Sequence, residues 1–539
     1  MKLKNIEHRA TGFSNQLISD YIDGDESLKN FYNKKPNIKN FFKQLKEKEL
    51  SFSSNQREIL HKILLKQYQN IKTLPPKVKK NLFSLKSKNT FTITTGHQLS
   101  LMMGPIYLIY KILSTINLSK KLSKYYPKYN FIPLFWMATE DHDFDEISSF
   151  NFKGKKIKWN KKSIGPVGEL SNVGLENVFK IFSQQLSENS NTRKLISIIK
   201  NSYLSTRNLA DATRILINEF FGQYGLLILD PNEKKLKEVF SPIIKNELSF
   251  QECNNSVNQT LKLFKTKSPK YKPQVKPREI NLFFIEKKFR KRIYKKSSEI
   301  FSIDKSNITF TKKEILEVLK LHPEKFSPNV LMRPIYQETI LPNICYIGGG
   351  AELSYWLELS DYFKNKKVPF PIILHRNSAL LINSKTSVKL KKLNIAFEEL
   401  FIGRLALINK KIRQISDIDL DLGFQKRNLK KQFKFLEELA NKTDKTFINA
   451  VNAEMSKQIK GIDKLEKRLL KAQRIKLKDH VERLVLIHES LFPNEELQER
   501  ILNFSELYEI YGQKIIDFLL KKFDPLSQKF DLIELPGKI

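Results

Sequence analysis

Residues 92–98 read TITTGHQ, and residues 131–146 read FIPLFWMATEDHDFDE. Each segment starts as an apolar run and ends in a turn that carries polar side chains. Between the two segments, Ile106, Ile109 and Leu113 recur at the spacing of an amphipathic helix. Ligands of parallel α/β sheets bind beyond the carboxyl ends of the strands. The pattern therefore predicts a β-α-β unit and places an enzyme site where its two strands end.

Three later segments extend this predicted sheet. Residues 225–231 read GLLILDP, a short buried strand that should rejoin the core. Residues 344–350 read ICYIGGG and precede a helix, and residues 369–376 read PFPIILHR. The order strand, glycines, helix, strand indicates a second α/β unit. Residues 330–332 also have a strand-like composition just before Arg333.

The chain has 539 residues, more than the roughly 250–300 at which a single core stops growing. We divide it into eight segments: an N-terminal helical segment (1–88), the first half of the core (89–150), a first insertion (151–210), a core continuation (211–264), a second insertion (265–327), the second half of the core (328–421), a coiled coil (422–491) and a C-terminal helical tail (492–539). Short antiparallel strand pairs are expected in both insertions, around Gly154 and between residues 282 and 294.

The coiled-coil prediction rests on an apolar three–four alternation that no proline interrupts between residues 422 and 491. Lys and Glu flank this apolar seam, as they do in coiled coils. A helix with a narrow apolar seam must cover it with a partner. Either an antiparallel helical pair or a homodimer would do so.

The formal net charge is +38, which is compatible with nucleic acid, anionic lipid or anionic small molecules as partners. We favour ordinary solvated surfaces over nucleic acid, because the excess is mostly Lys spread along the chain, and Arg is the better bidentate phosphate ligand. Two cysteines do not make a disulfide framework. No apolar run reaches the roughly 18 residues that span a membrane. We therefore expect a cytoplasmic protein with neither a membrane nor a nucleic acid as its partner.

The turn Gly96-His97-Gln98 is the first candidate binding element. Backbone N–H groups at a helix start attract anions, so these side chains could contact a phosphate or a carboxylate. The simpler alternative is a glycine turn with a capping side chain.

The run Glu140-Asp141-His142-Asp143 is the densest titratable cluster in the chain and the candidate catalytic element. Carboxylates beside a His can set its tautomer and raise its pKa, which suits a general base. An acidic helix start capped by Thr139 is the alternative, although it explains only one or two of the acids. Consecutive acids cannot all face one point, so we assign no metal.

Residues Gly348, Gly349 and Gly350 with Glu352 are predicted to form a pocket wall, because glycines let a ligand approach the backbone. The segment matches neither the P-loop nor the dinucleotide-binding pattern. Tyr355 could belong to the wall or to the helix core.

Arg333 is a candidate clamp for a substrate carboxylate, with Gln337 assisting. Arg376 ends another strand and would lie on the same rim, or else be a surface charge. Cys345 lies in an apolar strand and is expected to be buried rather than nucleophilic.

Together these segments resemble one family, the cysteine-adding enzymes of bacillithiol synthesis (BshC). The matching segments follow the family's order and cover the chain from end to end: 95–111, 135–146, 333–338, 346–356 and 369–376. The run from Trp136 to Asp143 is the most specific piece. Two departures are visible: His97 stands where the family is expected to carry Gln, and Gly350-Ala351 where it is expected to carry Pro-Gly.

The resemblance implies a Rossmann-like core related to class I nucleotidyltransferases, with two insertions and a C-terminal coiled coil that forms a homodimer. It implies a ligase that joins L-cysteine to the amine of glucosaminyl-malate in the last step of bacillithiol synthesis. On this hypothesis Gly96 to Gln98 and Trp136 face the substrates, His142 or a neighbouring acid deprotonates the amine, and Arg333 or Arg376 holds a malate carboxylate. The activating cofactor is left open, and ATP follows from fold analogy alone.

Two alternatives remain at this point. A nucleotide- or RNA-handling enzyme with a class I synthetase-like core would also fit the charge and the sheet. A non-enzymatic coiled-coil binding protein would use the long helices instead.

Overall fold

The computed structural model describes residues 2–163, 165–267, 271–286, 289–443 and 445–537. They form two compact units, Met1–Leu380 with Glu499–Ile539, and Leu381–Gln498. Part of the predicted second insertion, residues 268–270 and 287–288, lies outside the described residues.

The described residues contain fifteen strands. They are β1 Lys2–Ile6, β2 Thr90–His97, β3 Asn130–Met137, β4 Ser149–Phe152, β5 Lys155–Lys158, β6 Leu227–Leu229, β7 Leu282–Glu286, β8 Phe289–Lys295, β9 Ile300–Ile303, β10 Thr309–Thr311, β11 Phe326–Pro328, β12 Asn343–Gly348, β13 Ile372–His375, β14 Ser378–Ile382 and β15 Phe530–Glu534.

The α-helices of the same residues number twenty-three. They are α1 Gln16–Asp23, α2 Ile38–Ser51, α3 Ser54–Gln67, α4 Pro76–Ser84, α5 Tyr107–Tyr125, α6 Phe144–Ile147, α7 Leu175–Ser183, α8 Ser190–Tyr203, α9 Leu209–Phe221, α10 Lys234–Phe250, α11 Glu252–Lys267, α12 Lys312–Leu321, α13 Arg333–Ile340, α14 Gly350–Leu357, α15 Ser360–Lys366, α16 Ser384–Lys392, α17 Arg404–Ile415, α18 Gly423–Ala440, α19 Lys445–Lys476, α20 Lys478–Leu491, α21 Gln498–Ile501, α22 Phe504–Tyr511 and α23 Lys514–Lys522.

A five-stranded sheet forms the centre of the first unit, in the order β13-β12-β2-β3-β6. All four strand pairs are parallel. The chain builds the sheet outward from β2 to β6 and then returns to the other side of β2 with β12 and β13. This reversal between β2 and β12 creates the crevice in which ligands bind in doubly wound folds. The α/β, Rossmann-like parallel sheet predicted from the sequence is confirmed.

Apolar side chains cover both faces of this sheet, as a parallel sheet requires. Along β3, Phe131 packs on one face with α2 and α5, and Ile132 and Leu134 pack on the other face. Cys345 of β12 is fully buried, as expected, and burial raises the pKa of its thiol well above the ordinary value. These buried layers leave the strand ends as the accessible part of the sheet.

The regions predicted as insertions contain antiparallel strands. β4 pairs with β5 through a turn in which both Lys153 and Gly154 have positive φ, as the predicted hairpin around Gly154 requires. β7 pairs with β8 inside a five-stranded sheet ordered β10-β9-β8-β7-β11.

The strand-like reading of residues 330–332 was wrong. The Asn329 side chain accepts hydrogen bonds from the backbone N–H groups of Leu331 (3.0 Å) and Met332 (3.2 Å), which turns the chain there. Pro334 then occupies the first turn of α13, where its missing N–H costs nothing. Arg333 is therefore the first residue of a helix, not the residue after a strand.

In the second unit, α18 and α19 pack against each other in antiparallel directions. Lys426 near the start of α18 pairs with Asp463 and Glu466 late in α19, whereas Phe433 and Ala440 pack near Val451. The helical pair covers part of the predicted apolar seam within one chain. No helix in the described part of the chain is both long enough and apolar enough to cross a membrane.

Candidate active site

A cavity of about 700 Å³ opens at the carboxyl ends of β2, β3 and β12. Its size lies within the usual range for small-molecule sites, about 300–1,000 Å³. The helices α5, α13 and α14 and the segments 275–283 and 290–292 complete its wall. The cavity therefore lies at the point where the strand order reverses.

Most of the residues predicted from the sequence border this single cavity. They are Gly96, His97, Gln98, Trp136, Asp141, His142, Arg333, Gln337, Gly349, Gly350, Glu352, Tyr355 and Arg376. Parallel strands end at the same edge of a sheet, so motifs separated by more than 200 residues meet here.

Three predicted residues do not border the cavity. Glu140 is buried and forms an ion pair with Lys237 of α10. Asp143 is the N-cap of the short helix α6 and accepts the backbone N–H of Glu146 at 3.2 Å. Gly348 allows close packing, because a Cβ there would lie 2.8 Å from Leu353 Cδ1. For Asp143 the structure matches the alternative of an acidic helix start, but the predicted cap was wrong: Asp143 itself caps the helix, and the Thr139 hydroxyl donates to Asp230 instead.

Asp141 is the centre of a charged network on the cavity wall. Its Oδ2 accepts hydrogen bonds from Gln98 Nε2 (2.7 Å) and Arg333 (3.3 Å), and its Oδ1 accepts the backbone N–H of His142 (2.8 Å). Burial alone would raise the pKa of Asp141. The charges of Arg333 and Arg290 and the hydrogen bond from Gln98 outweigh it and hold that pKa well below its usual range. Asp141 is therefore a permanent carboxylate that positions its neighbours.

Arg290 of β8 reaches this network from the segment predicted as the second insertion. The side chain is buried, lies 3.8 Å above the ring of Phe283, and donates hydrogen bonds to Ser327 Oγ and the Pro328 carbonyl, both at 3.0 Å. Its remaining nitrogen lies 2.9 Å from His142 Nδ1. Burial and the charge of Arg333 lower the pKa of Arg290 to about 10, so it stays charged at neutral pH.

Lys111 and Glu352 form a second ion pair on the cavity wall, 2.5 Å apart. Lys111 also donates to the Gly96 carbonyl at 2.8 Å, which ties α5 to the end of β2. Glu352 accepts the Gly349 N–H (2.8 Å) and the Tyr346 hydroxyl (2.6 Å). Burial favours the neutral form of Glu352, but Lys111 and these donors lower its pKa below the ordinary value. The pair holds the glycine turn and the end of β2 together.

His97 lies beside this pair in the same wall. Its Nδ1 is 2.9 Å from the Gln98 carbonyl, which can only accept, so Nδ1 carries the proton. Burial and the charge of Lys111 lower the pKa of His97 to about 4. His97 is therefore neutral at pH 7.

Arg376 is buried and already bound by the protein. It donates to Glu499 (2.6 Å), to Ser378 Oγ (2.8 Å) and to the Asn377 carbonyl (3.0 Å). Its guanidinium lies 5.3 Å over the ring of Tyr107. Gln337 is buried as well and donates to Glu338 at 3.0 Å. Both residues border the cavity with most of their hydrogen bonds made inside the protein.

The sequence reading missed several basic residues of the wall. Lys111 had a visible signal, a charge among the buried apolar residues Ile109, Tyr110, Ile112 and Leu113 of one helix. Arg290 had none, because a strand with alternating Arg and Lys resembles any solvated edge. The further basic residues that border the cavity are Lys276, Arg278, Arg292 and Arg500. Basic side chains outnumber the acidic ones, Asp141, Glu146 and Glu352, so the cavity suits an anionic ligand.

The sheet order and the cavity define a Rossmann-like protein with a ligand site at its switch point. Comparison with known protein families identifies the family to which the chain belongs. Residues 1–377 match the model described as "Bacillithiol biosynthesis BshC, N-terminal Rossmann-like domain". Residues 379–535 match "Bacillithiol biosynthesis BshC, C-terminal coiled-coil domain". The chain belongs to the BshC family, as its motifs indicated.

Curated relatives align along almost the whole chain. A protein of Christiangramia forsetii is 48% identical over 532 residues, which is 98% of this chain and 98% of the relative. One of Flavobacterium johnsoniae is 48% identical over 530 residues, covering 98% and 99%. A more distant one, of Staphylococcus saprophyticus, is 29% identical over 553 residues, covering 96% and 97%. Each of the three is named "Putative cysteine ligase BshC".

Proposed function

We propose that this protein is a cysteine ligase of bacillithiol biosynthesis. In this proposal it joins the carboxyl group of L-cysteine to the amine of glucosaminyl-malate, as the last step. The names of the relatives and the family description support the reaction class. The observation that carries the proposal for this chain is the cation-rich cavity at the sheet's switch point. An acceptor with two malate carboxylates would match that excess of positive charge.

Four exposed cations support an acceptor of this kind. Lys276, Arg278, Arg292 and Arg500 border the cavity, and none of them forms an ion pair with another residue that the structure describes. The pKa of Arg278 is lowered, first by partial burial and then by the nearby positive charge of Arg292. Asp304 offsets the charge of Arg292 only in part, since the pKa of Arg278 stays lowered, and like charges placed together favour an anionic ligand. These residues are better placed than Arg376 to bind the malate carboxylates. The N–H groups of Arg376 already donate to Glu499, Ser378 and Asn377.

The cysteine carboxyl must be activated, because a free carboxylate is a poor acyl donor. ATP, proposed from fold analogy, would supply that activation when bound. Gly350 and Ala351 at the start of α14 border the cavity, and backbone N–H groups in the first turn of a helix have no partner within that helix. Such a helix start fits a phosphate oxygen. Lys111, through Gly96 and Glu352, would hold this part of the wall in place.

The test is product formation by the purified full-length protein. Cysteine, glucosaminyl-malate and ATP should yield bacillithiol by mass spectrometry, and omission of ATP should abolish it. A deletion strain should lose bacillithiol and accumulate glucosaminyl-malate. Unchanged thiols in that strain, together with a steep salt dependence of RNA affinity, would favour the nucleic-acid alternative instead.

We also propose that the protein is a homodimer formed through the coiled coil. The α18–α19 pair leaves Phe435 (63% exposed), Leu439 (43%) and Leu465 (57%) in contact with solvent. Exposed apolar side chains repeated along two helices suit a second copy. Light scattering should give a dimer for the wild-type protein and a monomer for F435E/L439E, whereas Lys457→Glu, an exposed polar position on α19, should stay dimeric. A dimer that persists without residues 422–491 would contradict this interface.

A further inference from the structure

The two histidines that border the cavity are held in opposite tautomers. In His97 the proton is on Nδ1, where it bonds to the Gln98 carbonyl at 2.9 Å. In His142 the Nδ1 atom is 2.9 Å from a guanidinium nitrogen of Arg290, which can only donate. The Nδ1 of His142 must therefore accept, and its proton lies on Nε2.

We infer that His142 acts as a hydrogen-bond donor to the acyl oxygen, and that Glu146 takes the proton from the attacking amine. This inference rests on the proposed function, since it assigns roles within the same amide-forming reaction. It replaces the sequence-based hypothesis in which His142 deprotonates the amine.

His142 lacks a free lone pair for the amine proton because Arg290 is rigidly placed. Two other hydrogen bonds of Arg290, to Ser327 and Pro328, hold its guanidinium against His142. A proton added to Nδ1 would point at that cation. The alternative partner, Asp141 Oδ1, is farther from Nδ1 at 3.5 Å. The neutral Nε2–H tautomer is therefore the one that this site stabilises.

Glu146 differs from the other two carboxylates of the cavity wall. Asp141 accepts three hydrogen bonds, and Glu352 is held by Lys111, Tyr346 and the Gly349 N–H. The Glu146 side chain makes no hydrogen bond or ion pair within the described residues, although it borders the cavity. Its oxygens are therefore available to a ligand.

The charges around Glu146 also favour proton uptake. Burial, then the neighbouring carboxylates of Asp141 and Asp143, raise the pKa of Glu146, and the cations Arg333 and Lys111 oppose them only in part. A base whose pKa lies nearer to neutral pH transfers protons more effectively. His97 also has a free lone pair on Nε2, but its pKa of about 4 in a buried position beside Lys111 makes it a weaker base.

The proposed step is a single proton transfer. The acceptor arrives as an ammonium ion, and one proton moves from its nitrogen to a Glu146 carboxylate oxygen. The amine nitrogen keeps the electron pair of the broken N–H bond and can then attack the acyl carbon. As that carbon is attacked, its oxygen gains negative charge and accepts the His142 Nε2–H. Donors aimed at a developing oxyanion are a large source of catalysis.

Substitutions at residue 142 separate a donor from a base. Glutamine carries an N–H donor at a similar reach but cannot accept a proton at neutral pH. His142→Gln should therefore reduce kcat less than about tenfold, and His142→Ala should reduce it about 10²–10³-fold. Equal losses in both variants would overturn the donor role.

Glu146→Gln tests the base. It should reduce kcat about 10²–10⁴-fold. In the wild type, kcat/KM should fall as the pH drops through the raised pKa of Glu146, since the carboxylate must be ionised. The small activity left in Glu146→Gln should lack this acidic limb. Wild-type activity in Glu146→Gln, or an acidic limb lost in His97→Gln instead, would overturn the assignment.

A spectroscopic measurement does not depend on turnover. Two-bond ¹H–¹⁵N spectra of the full-length protein with labelled histidine should show His142 as the Nε2–H tautomer, and Arg290→Met should remove that preference. An Nδ1–H tautomer in the wild type would overturn the inference directly. Absence of product from the wild type would reject the proposed function, and the spectra would still decide the tautomer.

Discussion

Glu140 and Asp141 are neighbours in sequence, yet they belong to two different regions. Glu140 points into the interior and pairs with Lys237, with almost no exposure of either side chain (3% and 0%). Asp141 points to the cavity wall and binds Gln98, Arg333 and the backbone of His142. In this interior pair, cation and carboxylate balance each other. At the cavity, cations remain in excess, and one carboxylate, Glu146, has no partner among the described residues.

The difference shows what distinguishes a structural charge from one available to a ligand. Buried charges are costly unless they are paired, and a second interior pair, Lys48 with Glu338, follows the same pattern. The residue types are the same in both regions. The distinguishing property is whether the hydrogen-bonding capacity of the group is filled by the protein.

The largest effect is expected from breaking the interior pair. Lys237→Met should destabilise the protein by about 3–5 kcal/mol, because it leaves the Glu140 carboxylate buried without a counter-ion. Urea unfolding measures this loss. Lys235→Met, at an exposed position on the same helix α10, should change stability by less than about 1 kcal/mol. Equal effects of the two substitutions would contradict the contrast between interior and surface.

Asp141→Asn should slow the reaction and also destabilise the fold. Without its charge, Arg333 and Gln98 lose the group that positions them, and a displacement of about 1 Å at a site costs about 10²-fold in rate. The rate of product formation should fall by about that factor, and the variant should also unfold at a lower urea concentration, because the buried Arg290 loses the carboxylate 3.6 Å from it. Asp145→Asn, an exposed position that does not border the cavity, is the matched control. A normal rate in Asp141→Asn would remove this network from the mechanism.

The protonation of Glu358, a buried residue beside the cavity, should make the stability of the protein depend on pH. Its buried carboxylate accepts the backbone N–H groups of Gln274 (2.6 Å) and Val275 (3.4 Å), next to the cavity residue Lys276. Burial raises the pKa of Glu358 to about 7. The protonated form is therefore favoured in the folded state.

The sign of the pH effect follows from that shift. The contribution of Glu358 to stability is fully present below the pKa of the unfolded chain and is lost as the pH rises through about 7. Between pH 4.5 and 8 the wild type should lose on the order of 2 kcal/mol more than Glu358→Gln. Urea unfolding at the two pH values measures it. Glu279→Gln, at an exposed position on the segment that Glu358 contacts, should behave like the wild type. If Glu358→Gln lost as much stability as the wild type between the two pH values, the raised pKa of Glu358 would be contradicted.

The smallest effect is expected at the mouth of the cavity, where the exposed cations Lys276, Arg278, Arg292 and Arg500 lie. Arg278→Gln should raise the KM for the acceptor by about 3–10-fold at low salt, since an exposed ion pair contributes up to about 1 kcal/mol. The effect should shrink at high salt. Arg207→Gln, an exposed arginine that does not border the cavity, should leave KM unchanged. A salt-independent KM in both variants would mean that the mouth does not attract the acceptor by charge.

Much of the first unit follows from local sequence patterns. Each strand of the central sheet was visible as an apolar run between turn residues, and the polar motifs lay at their ends. Parallel pairing then brings Gly96, Asp141 and Gly349 to one edge. The strand β1 was not predicted, because its partner β15 lies more than 500 residues later and a short strand has little signal without its partner.

The site was less predictable than the sheet. Within the run from Glu140 to Asp143, the sequence indicates a cluster but not which side chain faces the cavity. The tight turn after β3 decides that, by turning Glu140 inward to Lys237 and Asp141 outward. Arg290 comes from a separate antiparallel sheet, and its approach to His142 depends on tertiary packing that no local pattern encodes. Sequence locates the motifs, whereas hydrogen-bond saturation decides which of them remain available for chemistry.

The pairing of Arg376 with Glu499 has a consequence for how the protein is made. The guanidinium is buried at the end of β13, and its carboxylate partner is translated more than 100 residues later, after the entire helical region. During synthesis the sheet can be assembled on the ribosome while this cation still lacks its anion. A truncated chain that stops after residue 377, although it contains nearly all the motifs, should therefore be a poor stand-in for the enzyme. Cutting the protein between the regions that match the two family models, after residue 377, would remove Glu499, the carboxylate that neutralises Arg376 in the cavity wall.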